Sequence, residues 1–329
     1  MEYRKLGKTD IEVSALALGC WPFAGGQYWG EQDDNVSIGT VHAALDAGIN
    51  FFDTAEGYEA GHSERVLGRA LVDRRERAII ATKVSPNHLK PDDVIAACEG
   101  SLRNLQTDYI DLYQIHWPNH DIPLADTVGA LQRLKEQGKI RAIGVSNFAV
   151  QDFSEMLALS ECATNQLPFS LLWRVVEHEV QPLCVQHEVG IICYSPLAQG
   201  LLTGRYATAD EVPDGLARTR WYRNDRAMAQ HNEPGCEAEV FAALDAIRSV
   251  ADEAGAPMAI VALAWVKQQP AVTSFLVGAR SPEELAWNLP AADFTLSTAM
   301  VERLSAVTEP VKAKLGRNLD MWMAASRMR

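Results

Sequence analysis

No run in the chain approaches the roughly 18 consecutive apolar residues of a membrane span, and the opening stretch MEYRKLGKTD carries charge where a secretion signal would place apolar residues. No block of lysine and arginine offers the clustered positive charge that duplex binding needs, and the formal net charge of the 329 residues is −13. The six cysteines, Cys20, Cys98, Cys162, Cys184, Cys193 and Cys236, contain no C-x-x-C pair. In a chain of this length that favours buried or free thiols in a reducing compartment over a disulfide framework or a zinc site. The first apolar strand-like run is followed by GCWPFAGG, with neither the G-x-G-x-x-G of an open dinucleotide-binding sheet nor the H-x-H of a metal-dependent barrel hydrolase. GLLTGR lacks the Lys-Ser/Thr ending of a phosphate loop, and Pro118 between His116 and His120 argues against a helical metal pair. These absences leave a cytoplasmic globular protein without membrane, nucleic-acid or metal partners. Any anionic ligand has to meet cations and N–H groups gathered locally.

The chain does have periodicity. Apolar, β-branched runs recur at even spacing: ALALG (15–19), INFF (49–52), RAIIAT (77–82), YIDLYQI (109–115), IRAIGV (140–145), ATNQL (163–167), VGIICY (189–194) and VTSFLV (272–277). Between them, helical periodicity covers 34–47, 63–71, 91–105, 124–137, 150–159, 179–188 and 257–268. Pro91 before Asp92-Asp93, and Ser281-Pro282-Glu283-Glu284 as a capping box, mark helix starts; Gly48 and Gly138 mark helix ends. Strands alternating with helices imply parallel pairing, and eight of them predict an α/β fold, one (β/α)₈ TIM barrel spanning 1–329 as a single domain. An open doubly-wound sheet is the weaker alternative. The first residues read as a hairpin turning at Gly7-Lys8 and capping the base of the barrel. Two segments fall outside the alternation. Residues 200–235 form a long connection with Trp221, Tyr222, Arg205, Arg218, Arg220, Arg223 and Arg226, of a length usually functional or disordered. A tail from about 307 has no strand to reach and must pack across the barrel or onto a neighbour.

The residues that follow each strand carry the chemistry. Asp53 follows INFF, Lys83 follows AIIAT, His116 follows DLYQI, Ser146-Asn147 follow IRAIGV, Gln166 closes ATNQ, and Tyr194-Ser195 close IICYS. In a βα barrel these positions meet on one rim. A carboxylate ending a buried strand needs a cation, and Lys83 on the next strand supplies it. Tyr58, five residues beyond Asp53, has an ordinary pKa near 10; a nearby ammonium is expected to lower it, making the phenol a better general acid. Asp53 would hold Lys83 charged, and His116 would fix a substrate carbonyl oxygen.

At this point the sequence resembles the aldo-keto reductases. GINFFDTAEGYEAGHSERVLG (48–68), ATKV (81–84), QIHWP (114–118), GKIRAIGVSNF (138–148), YSPLAQGLLTGRY (194–206) and VGARSPEELAWNL (277–289) follow that family's motifs in order over nearly the whole chain. The resemblance implies carbonyl reduction with hydride from NADPH or NADH bound in extended form, and a tetrad of Asp53, Tyr58, Lys83 and His116 with Tyr58 as proton donor. It further implies that Ser146, Asn147 and Gln166 hold the carboxamide and that Tyr194 stacks on the nicotinamide. Ser195, Leu197, Gln199, Gly200, Gly204 and Arg205 are then expected to wrap the pyrophosphate. Gly278, Arg280, Ser281, Glu284 and Asn288 are expected at the adenosine end. Independently of the resemblance, a Gly-Ala-Arg-Ser turn opening a helix offers N–H groups and a guanidinium to a phosphate. Arg280 favours NADPH; Glu284, where many members carry Gln or Arg, leaves NADH as the alternative.

Trp21, Tyr28, Trp29, Trp117 and Trp221 are candidate walls of the substrate pocket, suited to a sugar-like or aromatic carbonyl compound or the corresponding alcohol. The tail residues Met321, Trp322, Met323, Arg327, Met328 and Arg329 read as a stripe that covers the mouth of its own barrel, joins a second copy in a homo-oligomer, or simply packs on the barrel's flank. Two other functions stand beside the reductase: a Schiff-base aldolase with Lys83 as nucleophile, which needs a neutral lysine that Asp53 opposes, and a cofactor-binding regulatory subunit without useful turnover, like channel-associated members of the family.

Overall fold

Consecutive residues of each short strand go to different places, and that alternation builds the molecule. The computed structural model describes residues 1–26 and 29–329; the expectation for Tyr28 lies outside them. An antiparallel pair, β1 (Tyr3–Lys5) and β2 (Glu12–Ser14), precedes eight parallel strands: β3 (Leu16–Gly19), β4 (Phe51–Asp53), β5 (Ile79–Val84), β6 (Ile110–Ile115), β7 (Ile140–Ser146), β8 (Thr164–Pro168), β9 (Gly190–Tyr194) and β10 (Val272–Gly278). They close into a barrel in chain order, β10 pairing with both β9 and β3. All eight predicted runs are strands of this barrel.

Phe52, Ile80, Tyr113, Ile143 and Ile191 point outward into the layer between strands and helices. Their neighbours Phe51, Ala81, Leu112, Ala142 and Ile192 point inward, where they pack with Ala17 and Leu276 into a separate apolar plug. Small side chains facing large ones fill the interior, so the barrel is a packed solid and not a pore. Leu6, Ile11 and Val13 of the hairpin join the same plug. Gly7 (φ 54°) lies so close to the Ala163 carbonyl that a Cβ would come within 2.5 Å of it, at the start of β8. The hairpin therefore stoppers the amino-terminal end of the barrel, as expected, and leaves the other end to function.

The predicted helices are present with small shifts at their ends: Asp34–Asp46, His62–Ala70, Pro91–Leu105, Leu124–Glu136, Val150–Leu159, Val180–His187 and Met258–Lys267. Two 18-residue helices were not anticipated, Glu237–Ala254 and Thr298–Leu315, and they pack on each other. The second corrects the expected start of the tail, because residues 307–315 are helical despite Pro310. Among the described residues no single helix is long and apolar enough to cross a membrane; the bent pair Glu237–Ala254 with Met258–Lys267 reaches that length only jointly, across a 93° bend.

Truncating the plug removes packing that nothing nearby can replace. Leu112→Ala is expected to destabilise the protein by about 2–5 kcal/mol, read as a lowered midpoint in urea unfolding.

Candidate active site

Asp53, the last residue of β4, reaches the top of the plug with 2% of its surface exposed, and Lys83, beside it on β5, has none. The Lys83 ammonium has three N–H donors and three acceptors: Asp53 Oδ1 at 2.6 Å, the Thr54 carbonyl at 2.8 Å and Tyr58 Oη at 3.3 Å. Because the ammonium donates to Oη, the phenol keeps its own hydrogen for a partner elsewhere. Burial, the largest single influence, pulls the Lys83 pKa down, but Asp53 and Tyr58 outweigh it and leave it above the ordinary lysine value. The lysine is thus held as a cation, the opposite of what a Schiff-base nucleophile requires.

Tyr58 behaves differently from the sequence expectation. Burial raises its pKa more than Lys83 lowers it, with Asp53 adding to the rise, so the phenol sits above its ordinary value and not below. The Lys83 charge offsets part of a desolvation penalty that would otherwise be larger. Three successive left-handed residues, Glu59 (φ 46°), Ala60 (φ 47°) and Gly61 (φ 79°), turn the chain directly after Tyr58. Such a run stores backbone strain and is held by bonds from His62 N to the Glu59 carbonyl (3.0 Å) and from Arg65 Nη1 to the Ala60 carbonyl (2.9 Å).

His116 stands edge-on to Tyr58, ring centroids 5.8 Å apart at 80°. It keeps a partly exposed edge, yet burial first and the Lys83 charge second push its pKa down to about 3. A neutral imidazole with one N–H is therefore present at the mouth throughout the physiological range. It fits the role of hydrogen-bond donor to a carbonyl oxygen and not that of a cation. Trp21 stacks on Tyr58 (5.8 Å, 24°) and Trp29 meets Trp21 edge-on at 5.6 Å, so both lie at the mouth.

The expected cofactor residues form a continuous arc. Ser146 ends β7 and Asn147 follows it; Asn147 donates to the His116 carbonyl (3.0 Å) and accepts from Tyr194 Oη (2.8 Å). Gln166 lies on β8 with its Nε2 on Asp53 Oδ2 at 2.7 Å. After β9, Ser195, Ala198, Gln199, Gly200 and Gly204 all have positive φ, within a turn running past Leu197 to Arg205. Within it the N–H groups of Ala198, Gly200 and Gly204 donate to the carbonyls of Ser195, Leu197 and Leu201 at 2.9, 2.9 and 3.1 Å, which fixes the shape of the turn. Gln199 Oε1 is buried there without a partner among the described residues. Gly278 is exposed at the end of β10. The residues present thus fit an extended dinucleotide running from β7 to β10. Beyond Gly278 the geometry differs from expectation. Arg280 is engaged by Gln32 Oε1 (3.0 Å) and the Glu31 carbonyl (2.6 Å). Ser281 caps the helix Pro282–Asn288 by accepting from Glu284 N. The Glu284 carboxylate does not close the predicted capping box on Ser281 but accepts from Arg280 N at 2.8 Å, while Asn288 donates to the Glu284 carbonyl.

Trp221 does not belong to the mouth. It is 1% exposed, packs edge-on against Trp173 at 5.7 Å and donates to the Leu172 carbonyl. The connection that carries it is anchored and not loose: Arg220 bonds the carbonyls of Leu315, Asn318 and Asp320 and thereby fixes the tail. The tail in turn brings Trp322 against Tyr194 (6.0 Å, 10°) and Trp117 (6.0 Å). Arg327 lies 3.8 Å over Trp117 while paired with the fully buried Asp320. Met321 and Met328, expected to cover their own barrel or a neighbour's, are buried within this chain. Sequence reasoning named Trp322 among the tail residues over the mouth but missed Gln114, whose Nε2 lies 3.4 Å from Asp53 Oδ2. The available signal for Gln114 was a lone amide in an apolar strand, two residues before His116 and so on the same face.

The sequence pattern of the Aldo/keto reductase family matches residues 15–309, and the chain belongs to that family of nicotinamide-dependent oxidoreductases. It is 33% identical over 331 residues to the NADH-specific methylglyoxal reductase of Escherichia coli, covering 93% of this chain and 98% of the relative. Among solved structures, the glycerol dehydrogenase of Gluconobacter oxydans superposes with a TM-score of 0.80 at 32% identity over 96% of each chain. An aldo-keto reductase of Klebsiella pneumoniae in complex with NADPH does so with a TM-score of 0.76 at 30% identity, over 98% of this chain and 100% of that one.

The His116 ring is expected to stay neutral from pH 8 to pH 5, its ¹⁵N shifts unmoved in a nuclear magnetic resonance titration, where an ordinary histidine titrates near 6.5.

Proposed function

We propose that this protein reduces an aldehyde or ketone to the alcohol, taking hydride from NADPH and a proton from Tyr58, with NADH as the alternative donor. The reading is carried by the Lys83 ammonium, bonded at once to Asp53 and to Tyr58 Oη, which leaves the phenolic hydrogen free to face the mouth. When bound, the nicotinamide supplies the hydride. Everything else is the chain's own work. His116 donates its N–H to the substrate oxygen and orients it beside Tyr58. Tyr58 passes its proton to that oxygen as negative charge grows there. Lys83 stabilises the phenolate left behind, and Asp53 keeps Lys83 in place and charged. In alcohol oxidation the same groups act in reverse.

Ser146, Asn147 and Gln166 would hold the carboxamide, and Tyr194 would face the ring. The turn from Ser195 through Leu197, Gln199, Gly200 and Gly204 to Arg205 would take the pyrophosphate, and Gly278, Arg280, Ser281, Glu284 and Asn288 the adenosine. A 2′-phosphate would have to draw Arg280 away from the Glu31 carbonyl, with the Glu284 carboxylate nearby; this is what keeps NADH in play. For the substrate, the aromatic enclosure of Trp21, Trp29, Trp117 and Trp322 supports a small carbonyl compound, including sugar-derived ones. That agrees with relatives named for methylglyoxal and glycerol. With Met321 and Met328 spent on its own barrel, the tail acts as part of its own site more readily than as a bridge to a second copy.

Tyr58→Phe is expected to lower carbonyl reduction by about 10²–10⁴-fold, followed at the nicotinamide absorbance band, while the dissociation constants for NADPH and NADH from fluorescence titration change little. Full activity in that variant would assign the proton donor elsewhere.

A further inference from the structure

Asp53 has two oxygens, and the proposed mechanism uses one of them. Oδ1 accepts from Lys83; Oδ2 accepts from Gln166 Nε2 at 2.7 Å and from Gln114 Nε2 at 3.4 Å. A carboxylate only accepts, so both amides must turn their nitrogens toward it. For Gln114 this has a consequence: its Oε1 faces away, is fully buried, and has no partner among the described residues. An orphaned buried acceptor is unfavourable, because it has given up its bonds to water without replacement. Packing does not call for it, since the layer beneath is the apolar plug of Leu112, Ala142 and Ala81. Room for the amide is made by Gly144, its register partner on β7, where a Cβ would sit 3.1 Å from Gln114 Cγ. The chain thus keeps a polar side chain at the top of the plug, with its nitrogen on Asp53 and its oxygen unserved.

We propose that Gln114 is a positioning residue for the proton donor: it holds the second oxygen of Asp53 and so sets how Lys83 is shared between Asp53 and Tyr58. This rests on the reading of Tyr58 given above. Without the amide, the charge on Oδ2 lies over an apolar floor and its nearest remedy is Lys83. The carboxylate then draws the ammonium away from Tyr58 Oη, now at 3.3 Å, and the phenolate loses its counter-charge. Gln166 cannot substitute fully, because in the proposed reading its amide also serves the carboxamide. By register Gln166 lies beside Ser146, whereas Gln114 lies beside Gly144, two residues deeper along β7. Among the described residues, the titratable groups facing Tyr58 are Lys83, Asp53, Cys20, His116 and Tyr194, and only the first brings positive charge.

Gln114→Met removes the donor and the orphan together while keeping the volume. The proposal expects the Tyr58 phenolate to form about one pH unit higher. It would be read in nucleotide-free protein as the ultraviolet phenolate titration of each chain minus its Tyr58→Phe counterpart. One unit is a tenfold smaller phenolate fraction, so alcohol oxidation at neutral pH should fall about tenfold and its rising pH limb should move up by the same unit. Nucleotide affinity should be retained and urea stability should change little, the orphan removed offsetting the donor lost. Gln114→Leu should behave alike. An unmoved phenolate titration overturns the proposal. So does a variant destabilised in proportion to its lost activity, or too unstable to assay, because the amide would then be packing. A wild-type protein without nicotinamide-dependent turnover would instead refute the functional reading, which the ultraviolet titration does not depend on.

Discussion

A lysine ammonium with no exposed surface, 2.6 Å from an aspartate at the top of an apolar plug, is the constraint on which this site depends. Neither charge is tolerable there alone; removing one partner of such a pair typically costs about 3–5 kcal/mol. The pair persists because every donor of the ammonium is matched by an acceptor and because amides solvate the carboxylate from below. The third acceptor, Tyr58 Oη, is where a stability requirement becomes chemistry. The lysine cannot satisfy itself without placing a full positive charge against the phenol. The same burial that raises the Tyr58 pKa makes that charge effective, since interactions strengthen as water is excluded.

The plug fixes the height at which this happens. Inward residues up to Phe51, Ala81 and Leu112 are apolar, and the next inward positions on those strands are Asp53, Lys83 and Gln114. A change of side-chain chemistry over a single inward step divides a packed interior from a reactive mouth. Segments far apart in sequence then enclose the mouth. Arg220, from the long connection, holds the carbonyls of the tail, and the tail carries Trp322 onto Tyr194 and Arg327 onto Trp117.

This division also explains what could be read from the sequence. The eight strands, the stoppering hairpin and the meeting of Asp53, Lys83, Tyr58 and His116 depend on a period of two and on chain order, which are local and visible. The helix Thr298–Leu315 was obscured by Pro310, and Glu237–Ala254 followed a connection that reads as structureless. Trp221 was placed by residue type and Arg280 and Gln166 by the family resemblance, but their partners, Leu172, Gln32 with Glu31, and Asp53, were chosen by tertiary packing that no local pattern encodes. The direction of the Tyr58 shift was misread for a related reason. The neighbouring charge was visible in the sequence, whereas the depth of burial was not.

The central claim is geometric: the phenolic hydrogen of Tyr58, freed by the bond from Lys83, points to the atom that receives a proton. The most direct measurement is a crystal structure of the protein with oxidised nicotinamide dinucleotide and an unreactive carbonyl analogue. The account predicts the carbonyl oxygen within about 3 Å of Tyr58 Oη, with the His116 ring as second donor and Lys83 still on both Asp53 and Tyr58. A carbonyl oxygen bound away from Tyr58, or a Lys83 that has left Tyr58 while Asp53 keeps it, would contradict it.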